Sequence, residues 1–230
     1  MSEFYEDLNK WKIPSNNLIK ICDSINSMID YFETSFGRTQ NRHVLLVEVV
    51  CQDKTGWGEC VAGEGPFYSS ETVHTAWSIL THFILPNTVN RSFEHPSDFP
   101  SWFAKIRGHR MAKACVEAAL WDLQAQQMNL PLWKLLGGIH EKISCGVSIG
   151  IQETPQVLLE KIEKELEAGY RKIKIKIKPG WDVEIVSLVR NQFPDISLMV
   201  DANSAYVLED IELLRELDQF NLLMIEQPLI

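Results

Sequence analysis

"RKIKIKIKPGWD", residues 171–182, decides the fold. Lys172, Lys174, Lys176 and Lys178 alternate with Ile173, Ile175 and Ile177. Residues two apart in a strand share a face, so a strand here puts four lysines on one side and three isoleucines on the other. Two settings suit such a strand. One is a sheet edge in water, where lysine discourages unwanted pairing. The other is a barrel, where one face of each strand points inward and the other meets surrounding helices.

The flanking sequence chooses between them. "ISCGVSIGI" reads as a short strand. "TPQVLLEKIEKELEAGY" reads as a helix, with Thr154 as N-cap, Pro155 in the first turn and Gly169 at its end. After the lysine strand come a helix in "DVEIVSLVRNQF", a strand in "ISLMVDAN", a helix in "VLEDIELLRELDQ" and a strand in "LLMIEQP". This β-α-β-α-β-α-β order implies a parallel sheet with right-handed crossovers, doubly wound or barrel-like. No phosphate-binding glycine fingerprint follows the first strand, which counts against a nucleotide-binding sheet. In a barrel the isoleucines suit the helix side and the lysines turn inward. Crowded like charges there would depress a lysine from about 10.4 to about 7–8 and make it a usable base. Lys172, nearest the strand start, reads as structural.

Upstream the rhythm differs. "NNLIKICDSINSMIDYF" has apolar residues at Leu18, Ile21, Cys22, Ile25, Met28 and Ile29, a 3–4 spacing that predicts a helix. "HVLLVEVVCQ" and "KTGWGEC" read as a hairpin. "SSETVHTAWSILTHFILP" predicts a helix capped at Ser69 or Ser70 with Glu71, running to Pro86. "SWFAKIRGHR" and "MAKACVEAALWDLQAQQMN" read as helical, and "LPLWKLLGG" ends the section. The chain thus divides near residue 140 into an α+β part and a βα-repeat part.

Composition narrows the class. The 230 residues are 45% hydrophobic and 23% charged, ordinary for a globular protein. The net charge of −9 argues against general nucleic-acid binding or a polybasic membrane surface. Cys22, Cys51, Cys60, Cys115 and Cys145 form no C-x-x-C pair, so a reducing, cytoplasmic setting is expected. The first residues lack a signal-peptide pattern, and no apolar run is long enough to span a membrane. Six dispersed histidines suggest no metal pair.

Chemistry gathers at strand ends. Lys176, Asp201 and Glu226 fall near the carboxyl ends of three successive strands, 25 residues apart in each step. Ligands of parallel α/β folds bind at those ends. Asp201 and Glu226 follow "SLMV" and "LLMI", and a carboxylate after a core run needs compensation. Oxygen ligands without a histidine or cysteine pair favour Mg²⁺ over zinc, with Lys176 across the mouth as acid or base. The plainer reading is of solvated acidic strand ends.

"KIKIKIKPGWD", "LMVDANSAY" and "LLMIEQPL", in that order and spacing, resemble the second, third and fourth barrel strands of the enolase superfamily. The likeness is strongest to the o-succinylbenzoate synthase and N-acylamino acid racemase group of the muconate lactonizing enzyme subgroup. It extends back through "ISCGVSIG", "MAKACVEAALWDLQAQQMNLPLWKLLGG", "GPFYSSET", "GWGEC" and "TSFG", covering about 34 to 230. The resemblance implies an α/β fold: an enolase-type (β/α) barrel, reaching about four βα units here, behind an α+β capping domain. Domains would be an atypical N-terminal segment 1–33, the capping domain 34–140 and the first half of the barrel 141–230.

The resemblance further implies Lys176 as catalytic lysine with Lys174 as its partner, and Asp201 and Glu226 as ligands of Mg²⁺, with Mn²⁺ as the alternative. It places Ser148 and Asn203 near a small-molecule carboxylate substrate. The implied reaction removes a proton α to a carboxylate, then expels water from a cyclohexadiene carboxylate to give o-succinylbenzoate for menaquinone synthesis. A racemase would instead return the proton from a second lysine. The family's third metal ligand and second lysine lie on its fifth and sixth strands, beyond Ile230, so the expectation is the front portion of a longer enzyme or a disrupted copy, inactive as it stands. The alternative of another class is a non-catalytic product that associates with itself.

Trp57, Phe67 and Tyr68 fall in capping-domain loops, where they either close over substrate or pack. Glu117 and Asp122 read as structural.

Overall fold

Residues 17–60 form a three-stranded sheet of β1 (Asn17–Thr34), β2 (Gly37–Cys51) and β3 (Lys54–Cys60), in that order. In β2 the alternating Leu45, Val47 and Val49 are buried, and β2 pairs antiparallel with β3 from Leu45↔Cys60 to Cys51↔Lys54. The computed structural model describes residues 17–89, 91 and 95–230.

Behind β3 lies α2 (Arg110–Gln127), which follows α1 (Val73–Ile79) in the chain. Ala112, Cys115, Val116, Ala119, Leu120 and Leu123 form its buried stripe at helical spacing. The strand and helix approach so closely that a Cβ at Gly58 would lie 1.8 Å from the Cys115 carbonyl oxygen, and one at Gly56 2.1 Å from that of Ala119. The glycines of "TGWGEC" are therefore contact residues. The N-terminus of α2 is capped from elsewhere: the buried Glu71 carboxylate accepts from the N–H groups of Met111 (3.0 Å) and Ala112 (2.7 Å).

Three expectations are corrected. The segment predicted as a helix at 18–29 is strand β1. Its apolar spacing makes no buried stripe, since Ile25 and Ile29 face solvent, and the two-residue turn Ser35–Phe36 delivers it to β2 as a hairpin. The helix expected from Ser69 or Ser70 starts at Val73 with Thr72 as N-cap, in a reciprocal capping box with Thr75; Glu71 is occupied at α2. It continues past Ile79 through a π-helical turn, Leu80–Ile84. In "SWFAKIRGHR" only a short turn, Phe99–Trp102, is helical.

The second sheet has the predicted alternation: β4 (Gly146–Ile149), α3 (Pro155–Glu167), β5 (Lys172–Lys176), α4 (Val183–Gln192), β6 (Ser197–Asp201), α5 (Ile211–Glu216) and β7 (Met224–Glu226). All four strands are parallel, in sequence order. Thr154 caps α3 by accepting from Val157 N–H, as its sequence predicts. Ile173, Ile175 and Ile177 are fully buried in one cluster with Leu158 and Ile162 of α3 and Val186 and Val189 of α4. This is the parallel α/β arrangement, four strands in sequence order, that the resemblance implies for the first half of a (β/α) barrel.

Two compact units result. One joins the described residues up to Ser27 with Asn41–Ile139; the other joins Met28–Gln40 with His140–Ile230. The outer end of the first hairpin thus groups with the parallel sheet. Among the described residues no helix is long and apolar enough to cross a membrane.

Candidate active site

The register of the parallel sheet builds the site. Lys176 of β5 stands beside Asp201 of β6, which stands beside Glu226 of β7. One step toward the strand starts, Ser148 pairs with Lys174 and Lys174 with Met199. Residues at matched positions of parallel neighbours share a face. Lys174, Lys176, Asp201, Glu226 and Ser148 are therefore on one face, opposite the isoleucines.

Each inward lysine has a carboxylate of its own. Lys176 Nζ, almost fully buried, donates to Asp201 Oδ2 at 2.5 Å and to Asn203 Oδ1 at 2.8 Å. Lys174 Nζ donates to Glu226 Oε2 at 2.7 Å and lies 3.6 Å from Asp201 Oδ2. Lys178 Nζ pairs with Glu33 at 3.1 Å. Lys172 faces solvent. The four like charges are therefore tolerable because three are neutralised one by one. The lowered lysine pKa expected from crowding is corrected for Lys174: burial pulls its pKa down, but the hydrogen bond and charge of Glu226, with the charge of Asp201, more than offset that and leave it above the ordinary lysine value.

The loops beyond the strands are tied together. Asn203 N–H donates to Asp201 Oδ1 (2.9 Å), Ser204 N–H to the Gln227 carbonyl (2.7 Å), and Asn203 Nδ2 to Gln227 Oε1 (3.4 Å). Asn203, Ser204 and Gln227 all have positive φ, at 45°, 60° and 42°. Such backbone is uncommon outside glycine and collects at functional sites. Ser148 is exposed on the site face. Of the capping-domain candidates, Trp57, Phe67 and Tyr68 are exposed rather than core residues. Asp122 accepts from Trp57 N–H at 2.9 Å, and Glu117 from Trp121 Nε1 at 3.4 Å, both within their own unit.

The Lys174 ammonium sits between Asp201 Oδ2 and Glu226 Oε2, so a positive charge already bridges two carboxylates from adjacent strands. Hard oxygens in that pairing fit a divalent cation in kind. Among the described residues no group of three or more potential ligand side chains is assembled, so the fit is to two protein ligands.

Sequence reasoning missed the outer hairpin. Phe32 places its ring 5.8 Å from Lys176 Nζ, the Ser35 hydroxyl donates to the Asn203 carbonyl at 3.3 Å, and Glu33 pairs with Lys178. The alternation in β1 was masked by an accidental helical spacing. "TSFG" at 34–37, which contains Ser35 and follows Phe32 and Glu33, was the available signal.

The fold and this face define a class: parallel-strand barrel proteins that set lysines against carboxylates at the strand ends. Family comparison narrows the class. The family model for the mandelate racemase / muconate lactonizing enzyme N-terminal domain matches residues 19–137, and that for the enolase C-terminal domain-like family matches 157–230. The chain belongs to the mandelate racemase / muconate lactonizing enzyme family of the enolase superfamily. It is 52% identical over 199 residues to an o-succinylbenzoate synthase of Geobacillus kaustophilus, covering 86% of this chain and 53% of that protein. It is 43% identical over 198 residues to an N-succinylamino acid racemase of Thermus thermophilus, covering 86% and 54%. The crystal structure of an enolase-superfamily member from Listeria innocua superposes with a TM-score of 0.86 at 37% identity, over 94% of this chain and 58% of that one. The chain spans about half the length of the curated relatives it matches.

Proposed function

We propose that this chain carries the proton-abstracting half of an o-succinylbenzoate synthase-type site, acting on a small carboxylate. The observation that carries the reading is the Lys176–Asp201–Glu226 row, one residue from each of three adjacent strands, with Lys176 buried and aimed along it. In this reading Lys176 acts as the free amine: its Nζ takes the proton α to the substrate carboxylate, and the C–H electron pair moves onto the carboxylate as an enediolate. The Lys176 ammonium so formed then returns a proton to the neighbouring hydroxyl, which departs as water and leaves the ring aromatic. Mg²⁺, or Mn²⁺ as the alternative, held by Asp201 and Glu226, would supply positive charge beside the two enediolate oxygens. Lys174 fixes the Glu226 carboxylate, Asn203 orients the Lys176 ammonium, and Ser148 lies on the face the substrate would touch. The product would feed menaquinone synthesis.

The 43% identity to a racemase supports a second reading on the same base. Lys174 and Lys176 share one face of one strand, so a racemase needs its second base from elsewhere.

The test is α-proton exchange of an N-succinylamino acid in deuterium oxide with Mg²⁺, followed by mass spectrometry. Full turnover is not expected of this half of the barrel, but α-proton exchange by the chain is, with at least a hundredfold loss in Lys176→Ala. Retained exchange in Lys176→Ala would remove Lys176 from the chemistry. No exchange by the unsubstituted chain, with mass in solution rising with concentration, would favour the self-associating, non-catalytic alternative.

A further inference from the structure

Lys178, the last of the alternating lysines, has no part in the proposed chemistry, yet its ammonium lies 3.1 Å from Glu33 Oε1 in the outer hairpin. The other oxygen of Glu33 takes the fork of Arg38, at 2.9 Å from Nε and 2.7 Å from a terminal nitrogen. The Arg38 guanidinium stacks 3.8 Å over the Tyr31 ring. Glu33 thus joins a cation from its own hairpin to one just past the carboxyl end of β5.

The turn is also held from the strands on either side. Beyond β4, Ile151 N–H donates to the Glu33 carbonyl at 2.9 Å. A Cβ at Gly150 would lie 2.9 Å from Glu33 N and 3.0 Å from its oxygen, so glycine is required for this approach. Beyond β6, the Ser35 hydroxyl donates to the Asn203 carbonyl. The hairpin end is therefore fastened at three consecutive strands, and the middle attachment is the only one of these three made wholly by side chains. What it brings into place is Phe32, whose ring faces Lys176 Nζ.

We infer that Glu33 is a positioning residue: by bridging Lys178 and Arg38 it seats the hairpin end on the carboxyl ends of the parallel strands, with Phe32 against the Lys176 ammonium. Its relevance to turnover rests on the function proposed above, but the seating does not. The fourth lysine then has its explanation: the strand carries two lysines for the site and one for its cover. The β4 attachment is backbone to backbone and the β6 attachment needs only the uncharged Ser35 hydroxyl. The side-chain bridge makes its seating depend on charge at residue 178.

A graded series tests this without turnover. Amide hydrogen exchange at residues 31–37 and acylation of Lys176 by acetic anhydride, relative to exposed Lys172, are read by peptide mass spectrometry. A half-exposed pair is expected to change local opening roughly fivefold. Lys178→Arg should behave as the unsubstituted chain. Lys178→Met should raise both rates roughly fivefold, Lys178→Glu should raise them further, and exchange within β5 and β6 should stay unchanged. Glu33→Gln approaches the same bridge from its other side and should match Lys178→Met. Equal rates in Lys178→Arg, Lys178→Met and Lys178→Glu would overturn the inference. So would a rise spread evenly over β4 to β7, which would make Lys178 a general stabiliser. A chain without catalytic exchange but with this graded response would sink the lyase reading and leave the seating intact.

Discussion

The two faces of β5 are made by alternate residues of one five-residue strand, yet they obey different rules. Toward the helices, Ile173 and Ile175 are fully buried and need only shape and apolarity. On the other face, Lys174 and Lys176 are held by Glu226, Asp201 and Asn203, each at hydrogen-bond distance. The first face stabilises the fold. The second spends part of that stability on bringing charges into a poorly solvated place, where only paired charges persist.

Substitutions on the two faces sharpen the contrast. Ile175→Ala removes fully packed methylenes and should cost about 4 kcal/mol in urea unfolding. Lys176→Met keeps the volume but leaves Asp201 short of a partner. Because Lys174 Nζ remains 3.6 Å away and Asn203 N–H still donates to Asp201, the cost should be about 2 kcal/mol. A larger loss for Lys176→Met than for Ile175→Ala would break the division between faces.

The smallest effect concerns Glu33 and has a definite sign. The Arg38 hydrogen bond holds its carboxyl below the ordinary 4.5 against a raising effect of burial, with Lys178 adding to the lowering. A folded-state value below the unfolded one gives stability that is full above 4.5 and lost as pH falls through the folded value. Asp30, paired with Lys161, and Glu153, 3.9 Å from Arg38, flank the same turn. Backbone shifts of Ser35 and Phe36 should therefore hold steady from pH 8 to 5 and change only in more acid solution. A midpoint above pH 5 would contradict the pairing.

Much of this was legible in the sequence. Period-two alternation in 172–178 and the strand–helix rhythm after residue 145 report burial directly, and the 25-residue spacing alone puts Lys176, Asp201 and Glu226 side by side. What was not legible depends on partners distant in sequence. Glu71 looked like part of its own helix cap, but its acceptors are filled by α2, forty residues on. Ile25 and Ile29 matched a helix period although neither is buried. The lowered pKa expected from "KIKIKIK" does not hold at Lys174, because Glu226 and Asp201 reach it from other strands.

We propose that Asp201 and Glu226 form a paired-oxygen seat that a divalent cation can share with, or take from, the Lys174 ammonium. The direct measurement is Mn²⁺ titration followed by electron paramagnetic resonance of the free aqua ion. Two protein carboxylates should bind Mn²⁺ with Kd of about 1 mM. Glu226→Gln should abolish that binding, and Lys174→Met should tighten it by removing the competing charge. Binding that is indifferent to Glu226→Gln would place the cation elsewhere and contradict the account.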